Sequence, residues 1–167
     1  NIVRASPYVA EAVVFGHGRK YLTALIEIDA DTVADWARSH DVPYTGFTSL
    51  ATNTDVKRLI GAELERANEE LARAEQLLLE TLEHDPNRSA AHSAMGFLRR
   101  LQGGRLSESR MEHETALALD PNNLSAVRQL GWTLLHLGEP DAAIVQGEKA
   151  LRLSPRGPLI WSVYGLL

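Results

Sequence analysis

The chain has 167 residues, and its 17 Lys and Arg against 22 Asp and Glu give a formal net charge of −5. Hydrophobic residues make up 44% and charged residues 23%, which is typical of a soluble globular protein and excludes a collagen-like or disordered chain. The absence of cysteine excludes disulfides and thiol catalysis and fits a reducing compartment, so we expect a cytoplasmic protein. The acidic balance argues against nucleic acid as a partner, and no apolar run approaches the roughly 20 residues of a transmembrane helix.

A β-hairpin is predicted over residues 9–28. Residues 11–15 and 21–28 are rich in strand-forming side chains, and Gly16-His17-Gly18-Arg19 between them is a turn cluster. A two-stranded sheet is only marginally stable alone and leaves open edges, through which the chain could form oligomers.

Helices and a loop are predicted to follow the hairpin. Residues 31–40 form a short amphipathic helix, with Asp29 or Asp31 as its N-cap. Residues 43–53 are rich in Thr, Ser and Gly and are predicted to be a loop. Residues 55–84 then form one continuous helix, which carries an apolar stripe in its first half.

The second half of the sequence repeats. Asp85-Pro86-Asn87 recurs as Asp120-Pro121-Asn122 and then as Ser154-Pro155-Arg156, so the prolines are 35 and then 34 residues apart. Two helical patterns joined by a turn lie between successive prolines, since proline ends the second helix of each unit. The predicted helices span 89–102, 106–119, 124–137, 140–153 and 158–167.

The spacing within these units resembles the tetratricopeptide repeat, and the alternative is a generic helical bundle. The match consists of Val127-x2-Leu130-Gly131-x2-Leu134, Ala143, Ala150 and Pro155, then Trp161-x2-Tyr164-Gly165, and more loosely His92-x2-Met95-Gly96-x2-Arg99, Ser109, His113, Ala116 and Pro121. Arg99, His113 and Gly147 stand where that family usually has aromatic residues, so we expect looser packing there. One helix pair leaves an apolar face uncovered, so neighbouring pairs stack.

Residues 1–75 carry a different resemblance. The residues concerned are Asn1-x-x-Arg4-x-Ser6-Pro7-Tyr8-Val9, Glu11-Ala12-Val13-Val14, Arg19-Lys20-Tyr21, Leu22-Thr23-Ala24-Leu25-Ile26, Trp36, Leu50-Ala51, Val56 and Asn68-x-x-Leu71-Ala72. This set is similar to the C-terminal subdomain of AMP-forming long-chain acyl-CoA synthetases. The resemblance implies a mobile lid that closes over a larger N-terminal domain, and for an intact ligase it implies ATP, CoA and Mg²⁺ as cofactors.

The departures from that family matter as much as the match. After Gln76 the family continues with a basic-aromatic strand and later a lysine that contacts the acyl-adenylate, whereas this chain continues into the helical units. We therefore assign no catalytic residue. The start at Asn1 without methionine and the end at Leu167 in an apolar stretch suggest a fragment of a longer protein. The junction near residues 73–77 is either a genuine fusion or a joining artefact of the source sequence.

The most informative candidate site is a surface. In stacked helix pairs the first helices line a concave groove. Arg128, Trp132 and Leu135 fall on one stripe of the predicted helix 124–137, and Phe97 and Arg100 occupy the equivalent positions of the preceding unit. An aromatic and an arginine in a groove are typical anchors for a peptide, although Trp132 could instead be buried between repeats and Arg128 merely solvated. The six histidines show no metal-ligand spacing, so no metal site is predicted.

These observations predict an α+β region followed by an all-α region. Residues 1–73 form a partial ligase lid subdomain, and residues 74–167 form tetratricopeptide-like repeats: an orphan second helix, two repeats and a truncated third. The predicted function is a protein- or peptide-interaction module that carries an incomplete lid and is not catalytic by itself. The alternative is a fragment of a long-chain-fatty-acid–CoA ligase that needs its missing N-terminal domain.

Overall fold

The described chain is mostly helical, with one small antiparallel sheet. The computed structural model describes residues 2–15 and 23–156, which contain seven α-helices, a short 3-10 turn at Ile2–Ala5 and two strands. The chain divides into two units, Asn1–Ala72 and Arg73–Leu167. Four predicted features lie outside the described residues: the turn at 16–19, the start of the second predicted strand at 21–22, the helix at 158–167 and the third repeat opening that begins at Trp161.

The predicted hairpin is confirmed in its two strands. β1 (Val9–Phe15) pairs antiparallel with β2 (Thr23–Ile28), in a register that places Val13 opposite Leu25 and Ala12 opposite Ile26. Because successive side chains of a strand point to opposite faces, the sheet has one covered and one open face. Ala12 and Ile28 are buried, whereas Val13 and Leu25 are 46% and 68% exposed.

One hydrophobic core holds the first unit together. α1 (Ala30–Ser39), α2 (Phe47–Thr52) and the first half of α3 (Thr54–His84) contribute apolar side chains that pack with the covered face of the sheet. Asp29 rather than Asp31 caps α1, since its carboxylate accepts the backbone N–H of Thr32 at 2.9 Å. The buried members of this core are Val9, Ala12, Ile28, Val33, Ala37, Val42, Leu50, Val56 and Ile60.

The loop predicted over residues 43–53 is wrong in its second half, because α2 forms there. The Ser49 hydroxyl accepts the backbone N–H groups of Thr45 at 2.8 Å and Gly46 at 3.2 Å and donates to the carbonyl of Gly46. Ser49, one of the polar residues that suggested a loop, therefore provides hydrogen-bond partners for backbone groups at the start of the helix. Leu50 on the same turn is only 2% exposed, so core packing favours the helix.

The second unit consists of paired helices. It contains the end of α3, then α4 (Ser89–Leu101), α5 (Leu106–Leu119), α6 (Leu124–His136) and α7 (Pro140–Leu153). α4 packs on α5, α6 packs on α7, and both α5 and α4 contact α6. The four predicted helices over 89–153 are confirmed to within one residue at each end.

The turns of this unit follow from its glycines. Gly103 and Gly104, between α4 and α5, adopt φ of 67° and 65°, and Gly138 after α6 adopts φ of 81°. This left-handed backbone is disfavoured for residues with a Cβ, so glycine is well suited to the turns that follow α4 and α6.

No helix in residues 2–15 and 23–156 combines the length and the apolar character needed to cross a membrane.

Candidate functional site

A pocket of about 280 Å³ lies between α4 and α6 in the second unit. Its α4 wall consists of Ala90, Ser93, Ala94 and Phe97. Its opposite wall consists of Ser125 and Gln129 on α6 together with the helix N-cap, Asn123. The lining therefore combines one exposed aromatic ring with small and uncharged polar side chains, which suits a ligand that has both an apolar and a hydrogen-bonding part.

An arginine is held at the side of this pocket. Arg100 does not line the pocket, but it contacts two residues that do. Its guanidinium Cζ lies 5.3 Å from the centre of the Phe97 ring, and its Nη2 donates to the Gln129 side-chain oxygen at 2.7 Å. A cation above an aromatic face is attracted by the ring quadrupole. Burial lowers the pKa of Arg100 without removing its charge at neutral pH.

Hydrogen bonds fix the other end of the pocket. The Asn123 side chain accepts the backbone N–H of Ala126 at 3.0 Å and so caps α6. Its amide donates to the Ser89 hydroxyl at 2.8 Å, and that hydroxyl donates to the carbonyl of Ala116 at the end of α5. One asparagine therefore ties the starts of α4 and α6 to α5, so the pocket walls are positioned by the fold.

The structure places the predicted groove residues in different settings. Phe97 lines the pocket, and the guanidinium of Arg100 stacks on the Phe97 ring, so these two side chains lie together. Arg128 and Trp132 are half-buried on α6, and Leu135 is 38% exposed. The α6 side chains at the pocket are Ser125 and Gln129, and participation of Arg128, Trp132 and Leu135 in ligand binding stays a prediction.

Sequence reasoning missed Gln129 and Asn123. Ser125 and Gln129 lie four residues apart and therefore share one stripe of α6, but uncharged polar residues on a helix carry no distinctive signal. The contact from Gln129 to Arg100 spans 29 residues and exists only because α4 and α6 pack together. The spacing of residues within one helix does not report such a contact.

A larger pocket, of about 460 Å³, lies in the first unit and is a weaker candidate. It is lined in part by Trp36 and His40, whose rings stack with centroids 4.6 Å apart, and by Asp55 and Arg58. Three of its polar side chains already have partners, since Arg58 donates to Asp55 at 2.7 Å and His40 Nδ1 lies 2.8 Å from the Trp36 carbonyl oxygen. Within the described part of the chain, no group of three His, Asp or Glu could hold a metal ion.

Comparison with known proteins identifies a family. A family model for the AMP-binding enzyme C-terminal domain matches residues 1–102, which is more than half of the chain. The match supports the resemblance of residues 1–75 to the C-terminal subdomain of AMP-forming ligases, and it extends through the end of α4. No curated protein matches the chain. The likeness of residues 72–167 to tetratricopeptide repeats stays a prediction.

Proposed function

Since this chain belongs to the AMP-binding enzyme C-terminal domain family, we propose that its first unit acts as the lid of an AMP-forming acyl ligase and that its second unit binds a peptide. The observation that carries the first part is the family match over residues 1–102. The finer assignment to long-chain fatty acids rests on the resemblance of residues 1–75. In this proposal the chain forms no acyl-CoA without a separate large domain.

The open face of the sheet is the proposed contact surface for the large domain. Val13 and Leu25 lie directly opposite one another in the register and are both substantially exposed. Apolar side chains that are paired and exposed on a sheet favour burial against a partner, because removing their surface from water is favourable by roughly 25 cal/mol per Å². Family membership is our reason for proposing the ATP-binding domain of an AMP-forming ligase as the partner.

A binding assay tests the lid proposal. The chain is titrated against the large domain of an AMP-forming acyl-CoA synthetase that lacks its own C-terminal domain. We expect saturable binding, weakened by Leu25→Asp and unchanged by Ala30→Asp, which places the same charge at an exposed position in the first turn of α1. Absence of binding, or equal loss in both variants, contradicts a lid that docks through the sheet face.

The chemistry of the intact ligase is not assigned to this chain. No residue here matches the family lysine that contacts the acyl-adenylate, so we assign ATP, CoA and Mg²⁺ no site in the described residues. An assay for acyl-CoA formation from ATP, CoA and a long-chain fatty acid should detect no turnover by the chain alone. Measurable turnover would contradict the proposal that a separate domain supplies the reaction centre.

The second part of the proposal is favoured by the pocket between α4 and α6. In this proposal, α4–α7 are two tetratricopeptide-like pairs, and α4 and α6 present Phe97 and Trp132 to an extended peptide. The support is a pocket of about 280 Å³ with a 38% exposed aromatic ring and several uncharged hydrogen-bonding groups. Exposed aromatic rings contribute much of the binding energy at peptide interfaces.

Selection from a phage-displayed library of random peptides tests this part. We expect the selection to enrich peptide sequences, and we expect the corresponding synthetic peptides to show saturable binding to the chain. Phe97→Ala should weaken that binding, and Leu153→Ala, at an exposed apolar position near the end of α7, should not. Failure to enrich any sequence, or equal binding by both variants, contradicts the peptide-binding proposal and leaves the lid proposal intact.

A further inference from the structure

The last part of α3 leaves one side of that helix open. α5 packs on α4 and α7 packs on α6, whereas no described helix packs against the end of α3 to a comparable extent. Glu75 faces α4, where it pairs with Arg99. Leu77 lies two residues further along, about half a turn around the helix, and therefore points away from that contact. Leu77 is accordingly 62% exposed.

Two opposite charges flank Leu77 on the open side. Arg73 precedes it by four residues and Glu80 follows it by three, so the three side chains share one face of the helix. Arg73, Gln76 and Glu80 are all exposed. We call Arg73, Gln76, Leu77 and Glu80 the α3 stripe.

The two charges of the α3 stripe are uncompensated. In the part of the chain that the structure describes, neither Arg73 nor Glu80 forms an ion pair. Glu80 accepts a hydrogen bond from the neutral Gln76 amide at 2.8 Å. Because seven residues rise roughly 10 Å along a helix, Arg73 and Glu80 of one chain are too far apart to pair with each other.

We propose that two copies of this chain associate by packing their α3 stripes together in antiparallel orientation. Arg73 and Glu80 are equally distant from the point between Gln76 and Leu77. If the two-fold axis passes through that point, Arg73 of each copy lies opposite Glu80 of the other copy. The two Leu77 side chains then lie beside the axis, where each removes apolar surface of the other from water.

The order of the charges favours a second copy as the occupant of this face. The α3 stripe is its own complement when one helix is reversed, so the antiparallel pair compensates all four charges without any other group. A parallel pair would instead place arginine opposite arginine and glutamate opposite glutamate, which is repulsive. A single helix pair with one leucine from each copy buries little area, so the dimer should be weak and concentration-dependent.

Sedimentation velocity of the full chain, at concentrations from roughly 10 μM to 1 mM, measures this association. We expect a monomer–dimer equilibrium. Arg73→Glu and Glu80→Arg should each raise the dissociation constant about tenfold, because each change places like charges opposite one another at two symmetric positions. Leu77→Asp should also weaken the dimer. Val145→Asp is the matched control, at a 55% exposed position of α7, and should leave the equilibrium unchanged.

Combining the two charge variants separates ion pairing from general damage to the surface. In a mixture of Arg73→Glu chains with Glu80→Arg chains, two glutamates of one chain meet two arginines of the other. That mixture should form a heterodimer about as readily as the parent chain forms its dimer. A chain that carries both changes should likewise associate with itself again.

Spin labels test the antiparallel orientation. The chain contains no cysteine, so a single introduced cysteine carries the only label. In the proposed dimer, labels on His84→Cys, at the end of α3, lie roughly 22 Å apart along the helix axis. A parallel pair would place them side by side, and that result would contradict the proposed arrangement.

Three further results would overturn the inference: a chain that stays monomeric up to about 1 mM, a dimer that Arg73→Glu and Leu77→Asp leave unchanged, or a mixture of charge variants that fails to associate. Thermal unfolding of each variant verifies that folded chains are being compared. None of these outcomes bears on the lid or on peptide binding, because neither proposal uses the α3 stripe.

Discussion

At the scale of single residues, a glycine of α4 packs against a buried histidine of α5. His113 on α5 is completely buried, and neither ring nitrogen has a hydrogen-bond partner in the part of the chain that the structure describes. A Cβ built on Gly96 of α4 would lie 2.6 Å from Cε1 of that ring. The imidazole therefore serves as a neutral, planar packing group that fills the space left by the glycine.

Gly96→Ala should destabilise the chain by roughly 1–3 kcal/mol, because the added methyl group overlaps a ring that is fully enclosed. Gly61→Ala on α3 is the control, since a Cβ there meets nothing within 4 Å. That change should be neutral or stabilising by up to about 1 kcal/mol, because alanine favours a helix interior. Urea denaturation followed by circular dichroism measures both differences.

A double variant tests the assigned cause. His113→Ala opens space beside Gly96, so Gly96→Ala in that background should cost less free energy than in the parent chain. Strict additivity of the two changes would show that the ring is not the obstacle.

The same burial predicts a dependence of stability on pH. Burial, together with the charge of Arg100, lowers the pKa of His113 from its ordinary value of 6.5 to about 4. Between these values the unfolded chain binds a proton that the folded chain does not, so stability falls as pH decreases. The loss should reach about 3 kcal/mol near pH 4. An NMR titration of the His113 ring measures the pKa directly, and a value near 6.5 in the folded chain would contradict this packing.

His92 and Glu75 also make stability depend on pH. Burial opposes protonation of His92, but hydrogen bonds to Glu112 and to the carbonyl of Pro86 raise the pKa of His92 overall. Its contribution is therefore complete below pH 6.5 and is lost as pH rises through the raised value. Hydrogen bonds from Arg99 and Gln102 lower the pKa of Glu75 from its ordinary value of 4.5. The stability contributed by this carboxylate is therefore complete above pH 4.5 and is lost as pH falls through the lowered value.

At the scale of helices and strands, local patterns predict most boundaries. Pro86 and Pro121 follow α3 and α5 closely, and Pro140 begins α7, so the chain itself marks these helix ends. α2 was not predicted, because a serine such as Ser49 is equally suited to a loop and to the start of a helix. Burial of Leu50 in a core assembled from distant residues favours the helix, and residues 43–53 alone do not contain that information.

In the candidate site, too, the arrangement of residues within one helix follows from the sequence, whereas the contacts between helices do not. The stripe on α4 that contains Phe97 and Arg100 follows from helical spacing, and these two side chains do lie together. The identity of the facing α6 residues depends on how α4 and α6 are rotated against each other. That rotation is set by packing of the whole helix pair, including the Asn123 contact to Ser89.

One polar cluster joins three helices of the second unit. Glu75 on α3 accepts hydrogen bonds from Arg99 on α4 and, at 2.5 Å, from Gln102. Arg105, at the start of α5, lies 3.5 Å from the same carboxylate and donates to Glu108 at 2.9 Å. Arg99 is only 8% exposed, so these carboxylates compensate a charge that is largely withdrawn from water.

Glu75→Gln should therefore destabilise the second unit by roughly 1–2 kcal/mol, because Arg99 loses the countercharge that it contacts most closely. The side chain of Glu75 is 24% exposed, so water moderates the effect. Glu148→Gln is the matched control: its contact with Arg152 spans 3.8 Å between exposed side chains and should contribute almost nothing. Equal urea midpoints for the parent chain and the Glu75 variant would show that the cluster adds no net stability.

At the scale of the whole molecule, the family match and the division into units do not coincide. The units meet between Ala72 and Arg73, in the interior of α3, whereas the match continues to residue 102. The family signal thus includes the α3 segment and the helix α4 that contribute to the Glu75 cluster and to the pocket wall. The composition of α3 does not mark this boundary, because the helix contains no proline and its single glycine, Gly61, lies well before the division between the units.

The two units should differ in local stability, with the sheet as the least protected element. Among the described residues β1 pairs only with β2, and a sheet of two strands with one exposed face is marginal in water. We expect amide hydrogens of β1 and β2 to exchange about tenfold or more faster than those of α4–α7, corresponding to an opening free energy lower by about 1.4 kcal/mol. Adding the isolated large domain of an AMP-forming ligase should slow exchange in the strands and leave α6 and α7 unchanged. Equal protection in both units would contradict the marginal sheet, and protection confined to α4–α7 on adding the ligase domain would contradict docking through Val13 and Leu25.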